Sequence, residues 1–322
     1  MTTMYVQAIE NEATAIEIAS ALLREGMVVA IPTETVYGLA AIITNDDAIR
    51  RIFSAKGRPS DNPLIVHVAT MADVASVAIV STLAQRLMEA FFPGALTLVL
   101  PKLPHVSNLV TAGLSTVAVR MPGLALTRAI IEATGTPVAA PSANRSGRPS
   151  PTMAEHVIAD LDGAIAAVID AGPCRDGLES TVVRVVDEQL FLLRPGSVRR
   201  ADIERAVGVP VQDVPTTADL QRSPGTRYRH YAPSAQVVLV RSAEDALHAR
   251  DENQDPAILL APSDLALGIP WRPLSSASLY AELRRADSLH VKKIIVHCDE
   301  QVQTNEALMN RLQKAAEPST DD

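Results

Sequence analysis

The sequence predicts an α/β protein of two domains, the first a mixed, largely parallel open sheet. Three observations lead there. The 322 residues exceed what one hydrophobic core usually serves. Hydrophobic residues make up 47% of the chain but aromatics only 3%, so Ala, Val, Ile and Leu must build the core, a mix that suits buried parallel strands. Short apolar runs also alternate with amphipathic ones, then stop and restart after a proline-containing stretch.

In chain order, 3.6-residue periodicity predicts a helix from Ala13 to Glu25, stopped by Gly26, and Met27–Ile31 follows as a buried strand ended by Pro32. Further helices are expected over Asp46–Ala55, Thr82–Phe92, Leu124–Thr134 and Met153–Leu161. Strands are expected over Pro63–Val68, Leu96–Leu100, Val117–Val119, Val138–Ala140, Ala167–Ile169 and Thr181–Val186. Residues 1–209 thus form the first domain. Residues 210–234 read as an ordered linker, and 235–322 as a smaller α/β domain. Its strands are Gln236–Val240, Ala257–Ala261 and Lys292–His297, with helices over Ala243–Ala249, Leu279–Ala286 and Glu306–Ala315. The end, Glu317 to Asp322, is polar and expected to fray.

A net charge of −8 argues against a protein that coats nucleic acid. Cys174 and Cys298 form no CxxC pair, which disfavours a disulfide framework or structural zinc and suits a reducing cytoplasm. No signal peptide opens the chain, and no apolar run approaches the ~20 residues of a membrane helix. GxxxxGK[ST], GxGxxG, HExxH and GxSxG are all absent, so any nucleotide must be held by scattered side chains and turns.

Those side chains gather at strand–loop junctions. Lys56-Gly57-Arg58 with Asn62 precede a strand, and Lys56 and Arg58 can face a polyphosphate together. A solvated turn is the ordinary reading of the same residues. His67 lies within the strand, where a histidine is more often a hydrogen-bonded core residue than a ligand contact. Arg120 ends an apolar strand, a place where open α/β sheets bind ligands, and either a carboxylate clamp or an ion pair with a nearby acid accounts for it. Ala140 to Ser150 forms a loop of small residues carrying Ser142, Asn144 and Ser150. Thr33-Glu34-Thr35, Glu179-Ser180-Thr181 and Arg194-Pro195-Gly196 place more polar groups at such junctions. No nucleophile–base pair or metal cluster accompanies them, so the set suits catalysis by positioning and charge stabilisation.

In order along the chain, these motifs resemble the threonylcarbamoyl-AMP synthases in their long, two-domain form. The resemblance runs through Pro32-Thr33-Glu34-Thr35-Val36-Tyr37-Gly38, Lys56-Gly57-Arg58-Pro59, Asn62-Pro63-Leu64-Ile65-Val66-His67, Phe92-Pro93-Gly94, Val119-Arg120-Met121-Pro122, Ala140-Pro141-Ser142-Ala143-Asn144, Glu179-Ser180-Thr181 and Leu193-Arg194-Pro195-Gly196. It continues through the linker Ser223-Pro224-Gly225 to His230-Tyr231-Ala232-Pro233. It implies a twisted sheet around a positively lined cavity, a Rossmann-like second domain, and a linker folding over the cavity. It also implies an enzyme that makes L-threonylcarbamoyladenylate from L-threonine, bicarbonate and ATP, releasing pyrophosphate, with Mg2+ held chiefly by the phosphates. Other enzymes would then transfer the threonylcarbamoyl group to tRNA.

Carried onto matching positions, Thr35, His67, Arg120, Ala140 and Ser180 surround L-threonine. Lys56, Arg58, Asn62, Thr116, Ser142, Asn144, Ser150 and Arg194 surround ATP, with Arg229, His230 and Tyr231 as candidates for closing over it. Lys56 and Arg58 carry the catalytic charge stabilisation. Two other readings compete. The loop Arg145 to Arg148 suits a double-stranded RNA module, against which stand the acidic net charge and scarce aromatics. A carbamoyl transferase on the same fold would accept carbamoyl phosphate and ignore threonine.

Overall fold

The computed structural model describes residues 2–214, 231–251 and 256–317. It divides into two compact units, Met1–Ser146 with Pro151–Arg227, and Gly147–Ser150 with Tyr228–Asp322. The segment 147–150 thus clusters with the second unit, although the chain before and after it belongs to the first.

The first unit is built on an eleven-stranded sheet. Its strands are β1 (Met4–Gln7), β2 (Val29–Ile31), β3 (Gly38–Ile42), β4 (Ile65–His67), β5 (Leu96–Pro101), β6 (Thr116–Arg120), β7 (Val138–Ala139), β8 (Ala167–Asp170), β9 (Thr181–Val186), β10 (Gln189–Arg194) and β11 (Val211–Asp213). Their spatial order is β1-β8-β2-β3-β7-β4-β6-β5-β9-β10-β11. Five of the ten pairings are antiparallel, so the sheet is evenly mixed rather than largely parallel. The reason lies in β3, which follows β2 after residues 32–37 and pairs antiparallel with both β2 and β7. Every residue of β3 is buried, so no alternation marks it as a strand. β11 falls in the stretch that reads as linker, where it extends the sheet beside β10.

The expected helices form, at Glu12–Arg24, Asp46–Lys56, Thr82–Phe91, Ala125–Thr134 and Ala154–Leu161. Local chemistry sets their ends. Asn45 caps the helix Asp46–Lys56 by accepting from the Asp47 and Ala48 amides, and Gly57 closes it in the left-handed conformation at φ 59°. The apolar stripe of Glu12–Arg24 buries Ala15, Ala19 and Leu23 completely in the first unit's core.

The second unit holds a four-stranded parallel sheet, β12 (Gln236–Val240), β13 (Ala257–Ala261), β14 (Trp271–Pro273) and β15 (Lys293–His297), in the order β12-β15-β13-β14. Helices Ala243–Asp251, Leu279–Ser288, Glu300–Thr304 and Glu306–Ala316 accompany it. β14 is too short and too polar to read as a strand in sequence. It pairs at one edge, and the Trp271 indole N–H donates to Ala261 O at 3.1 Å.

Candidate active site

The first cluster grows from the end of one helix. Lys56 is the last residue of Asp46–Lys56, and the left-handed Gly57 turns the chain so that Arg58 N bonds Phe53 O and Gly57 N bonds Ser54 O. That turn buries Lys56, whose Nζ donates to Ser142 O at 2.5 Å and Asn144 O at 2.6 Å. Lys56, Ser142 and Asn144, far apart in sequence, therefore meet. The Arg58 guanidinium folds along its own turn, donating through Nη2 to Pro63 O at 3.1 Å. Asn62 is fully buried there. A cleft of about 480 Å3 beside this helix end is lined by Arg51, Lys56, Gly57 and Arg145.

The second cluster depends on strand register. β4 and β6 run parallel with His67 opposite Arg120. Arg120 is 4% exposed and touches a protein oxygen with each nitrogen. Nε donates to Gly94 O at 3.1 Å, Nη1 to Thr35 Oγ1 at 2.9 Å, and Nη2 lies 2.7 Å from Glu34 Oε1. The ion pair with a nearby acid thus exists, and of five guanidinium N–H groups three face these partners. Burial alone would raise the Glu34 pKa, but the Arg120 guanidinium beside it outweighs burial and holds the carboxyl below its usual range. Thr35 is fixed in turn by the Thr33 hydroxyl, 2.9 Å away.

His67 Nδ1 lies 3.2 Å from Ile65 O, which requires the proton on Nδ1 and leaves Nε2 as an acceptor. Burial, with the Arg120 cation beside it, pushes its pKa down to about 3, so the ring is neutral. The same Ile65 carbonyl accepts from Ala140 N at 3.0 Å, which sets Ala140 beside His67.

The third cluster joins Ser180 and Arg194. Ser180 Oγ is 2.7 Å from Thr97 Oγ1, and Arg194 Nη2 donates to Ser180 O at 3.0 Å. The Thr181 amide, bonded to Ala95 O, ties this cluster to the segment that carries Gly94. Gly196 makes it possible: a Cβ there would lie 2.3 Å from Thr181 N and 2.4 Å from Glu179 O. Gly196→Ala must therefore displace backbone. Overpacking of this kind costs about 1–3 kcal/mol, which should lower the melting temperature by roughly 3–10 °C. Turnover should fall with it as Ser180 and Arg194 part. Melting and turnover equal to those of the parent protein would contradict this.

Other expected residues lie elsewhere. Thr116 opens β6, about 13 Å along the strand from Arg120 at its far end, and does not join the Arg120 cluster. Ser150 is buried in the segment 147–150 of the second unit, where Arg284 Nη2 holds Pro149 O at 2.5 Å. Arg229 and His230 lie outside the described residues. Tyr231 is packed within the second unit: its ring stacks on Tyr280 at 5.4 Å between centroids, and Arg311 and Lys314 stand 5.2 and 5.9 Å from its centre. Arg145, in the loop that suggests an RNA contact, donates through Nε to Asp160 O. Glu34, Thr97 and Gly94 were missed as site residues. Glu34 lies in the motif Pro32 to Gly38, and the need of Arg120 for a nearby acid is the signal in the sequence that points to it.

Among the described residues no helix is long and apolar enough to cross a membrane, and no three His, Cys, Asp or Glu side chains gather as metal ligands. Comparison with known proteins agrees over nearly the whole chain. A family model described as telomere recombination matches residues 21–196, and one described as the threonylcarbamoyl-AMP synthase C-terminal domain matches residues 198–317. The Bacillus subtilis threonylcarbamoyl-AMP synthase is 43% identical over 92% of each chain, and that of Pyrococcus abyssi 40% identical over 94% of each. A crystal structure of the P. abyssi protein Sua5 complexed with L-threonine superposes with a TM-score of 0.87 at 38% identity, covering 98% of both chains. The two matched families and these full-length relatives lead to one conclusion: the chain belongs to the threonylcarbamoyl-AMP synthases, in their two-domain form.

Proposed function

We propose that this chain condenses L-threonine, bicarbonate-derived CO2 and ATP into L-threonylcarbamoyladenylate and pyrophosphate, for use by other enzymes that modify tRNA in the cytoplasm. The threonine amine adds to CO2 and loses a proton, giving a carbamate. A carbamate oxygen then attacks the α-phosphorus of ATP, the bond from that phosphorus to the bridging oxygen breaks, and pyrophosphate leaves. The step needs no protein nucleophile, only alignment and charge stabilisation.

The observation that carries the reading is the Arg120 cluster. A buried guanidinium has two N–H groups beyond its three protein partners, a hydroxyl at Thr35 beside it, and the neutral His67 opposite it on the adjacent strand. Such a set suits the carboxylate and the polar side chain of a small amino acid. Arg120 would clamp the threonine carboxylate, with Thr35, His67, Ala140 and Ser180 forming the rest of its pocket. Lys56, anchored by the Ser142 and Asn144 carbonyls, would meet the triphosphate with Arg58, while Asn62, Asn144 and Arg194 complete the nucleotide's surroundings. Thr116, at the far end of β6, fits the nucleoside end better than the amino acid.

Magnesium would be held mainly by phosphate oxygens, where it would offset their charge. Cations and amides predominate among the side chains near the site, and the buried carboxylate of Glu34 already faces Arg120, which suits that arrangement.

Pyrophosphate release should be followed from ATP and Mg2+ in bicarbonate buffer, with and without L-threonine. We expect release that requires both threonine and bicarbonate. ATP-binding protein with no threonine-dependent release would overturn the reading in favour of carbamoyl transfer.

A further inference from the structure

Glu34 is a carboxylate with no access of its own to a ligand. Among the described residues, both its oxygens are enclosed and lack a well-aligned hydrogen bond, as does Arg120 Nη2, although Oε1 and Nη2 lie 2.7 Å apart. The carboxyl group is wedged against Gly123, where an added Cβ would come within 3.0 Å of Cδ and Oε1. Its main chain is held as well, with Asp176 N donating to Glu34 O at 2.8 Å. A rigid acid is therefore pressed against one end of the guanidinium.

The other contacts of Arg120 have a direction. Gly94 O takes the Nε side and Thr35 Oγ1 takes Nη1, so with Glu34 against Nη2 the guanidinium plane is held from three sides. A planar fork recognises a carboxylate only along its own plane, so this restraint decides where a bound carboxylate can lie.

We propose that Glu34 is a positioning residue that acts through Arg120: it holds the guanidinium in the one orientation that receives the L-threonine carboxylate, and it balances the buried charge. This rests on the assignment of Arg120 to threonine. Two effects oppose each other when Glu34 is removed. An uncompensated guanidinium attracts an anion more strongly, whereas an unpinned one points elsewhere, and a misplacement of ~1 Å can cost about 10²-fold. Because Oε1 and Nη2 are enclosed, Glu34 acts on the substrate mainly through geometry, and the loss of orientation dominates.

Initial rates of pyrophosphate release test this, with threonine varied at saturating ATP and ATP varied at saturating threonine. Glu34→Gln removes the charge. Gly123→Ala keeps every charge and pushes only the carboxylate aside, so it carries the test should Glu34→Gln fail to fold. Both variants should raise KM for L-threonine by about tenfold, with kcat and the KM for ATP within about twofold of the parent. A threonine KM that is unchanged or lower in both variants would overturn the proposal, as would equal rises for both substrates. Parent protein with no threonine-dependent release would instead remove the threonine reading itself, and the role of Glu34 with it.

Discussion

Arg120→Ala should abolish threonine-dependent pyrophosphate release and also destabilise the fold, a combination that few other substitutions here would give. Two charge-assisted hydrogen bonds to a substrate carboxylate, at about 1.5–3 kcal/mol each, correspond to a loss of roughly 10³-fold in kcat/KM for threonine. The stability loss has a separate cause. Alanine leaves Glu34 enclosed without its counter-ion, and breaking a buried pair in this way costs about 3–5 kcal/mol. In a unit of this size that amounts to roughly 10 °C or more in melting temperature.

The pH dependence of that loss has a definite sign. In the parent, the Glu34 pKa is depressed, so its contribution to stability is present above the carboxyl's ordinary value and disappears as pH falls through the lowered one. In Arg120→Ala the guanidinium is gone, and burial, the largest single cause, drives the pKa up against the smaller lowering by the Gly123 and Glu34 backbone amides. The variant's penalty is then greatest at neutral pH and shrinks as acid protonates Glu34. Thermal melts at pH 8 and pH 5 should show the gap between variant and parent narrowing at the lower pH. A constant gap would mean that Glu34 is not the group left stranded.

The same pair explains why sequence reading reached some parts of the site and missed others. Lys56 and Arg58 were legible because local rules place them: a capped helix, a left-handed glycine and a proline-fixed turn act over a dozen residues. The hydrogen-bond partners of Arg120 are 85 and 26 residues away, and what brings them and Glu34 together is the order β2-β3-β7-β4-β6-β5 across the sheet. That order depends on the whole sheet, and β3, buried at every position, carries no period to reveal how that sheet is ordered. The antiparallel share of the sheet went unseen for the same reason. Tyr231 reads differently again. Its motif suggests a cover for the nucleotide, and within the second unit its ring lies against Tyr280, Arg311 and Lys314. No local pattern distinguishes an aromatic that caps a ligand from one that anchors a chain segment.

Arg58→Ala is the second large effect, and it should separate from the first by leaving threonine recognition intact. Its guanidinium is held against the Asn62 and Pro63 carbonyls, so its charge is presented without reorganisation when the triphosphate arrives. Removing one such donor typically costs about 10²-fold in kcat. KM for threonine should change little, because Arg120 is held by Gly94, Thr35 and Glu34 and not by the Arg58 turn. Arg58→Lys discriminates the cause. Lysine restores the charge but not the planar fork, so it can neither grip the turn carbonyls nor span two phosphate oxygens in the same way. A lysine variant with turnover near that of alanine would show that geometry carries the effect. One near the parent would show that charge alone suffices, and near-normal turnover in Arg58→Ala itself would end the assignment of Arg58 to catalysis.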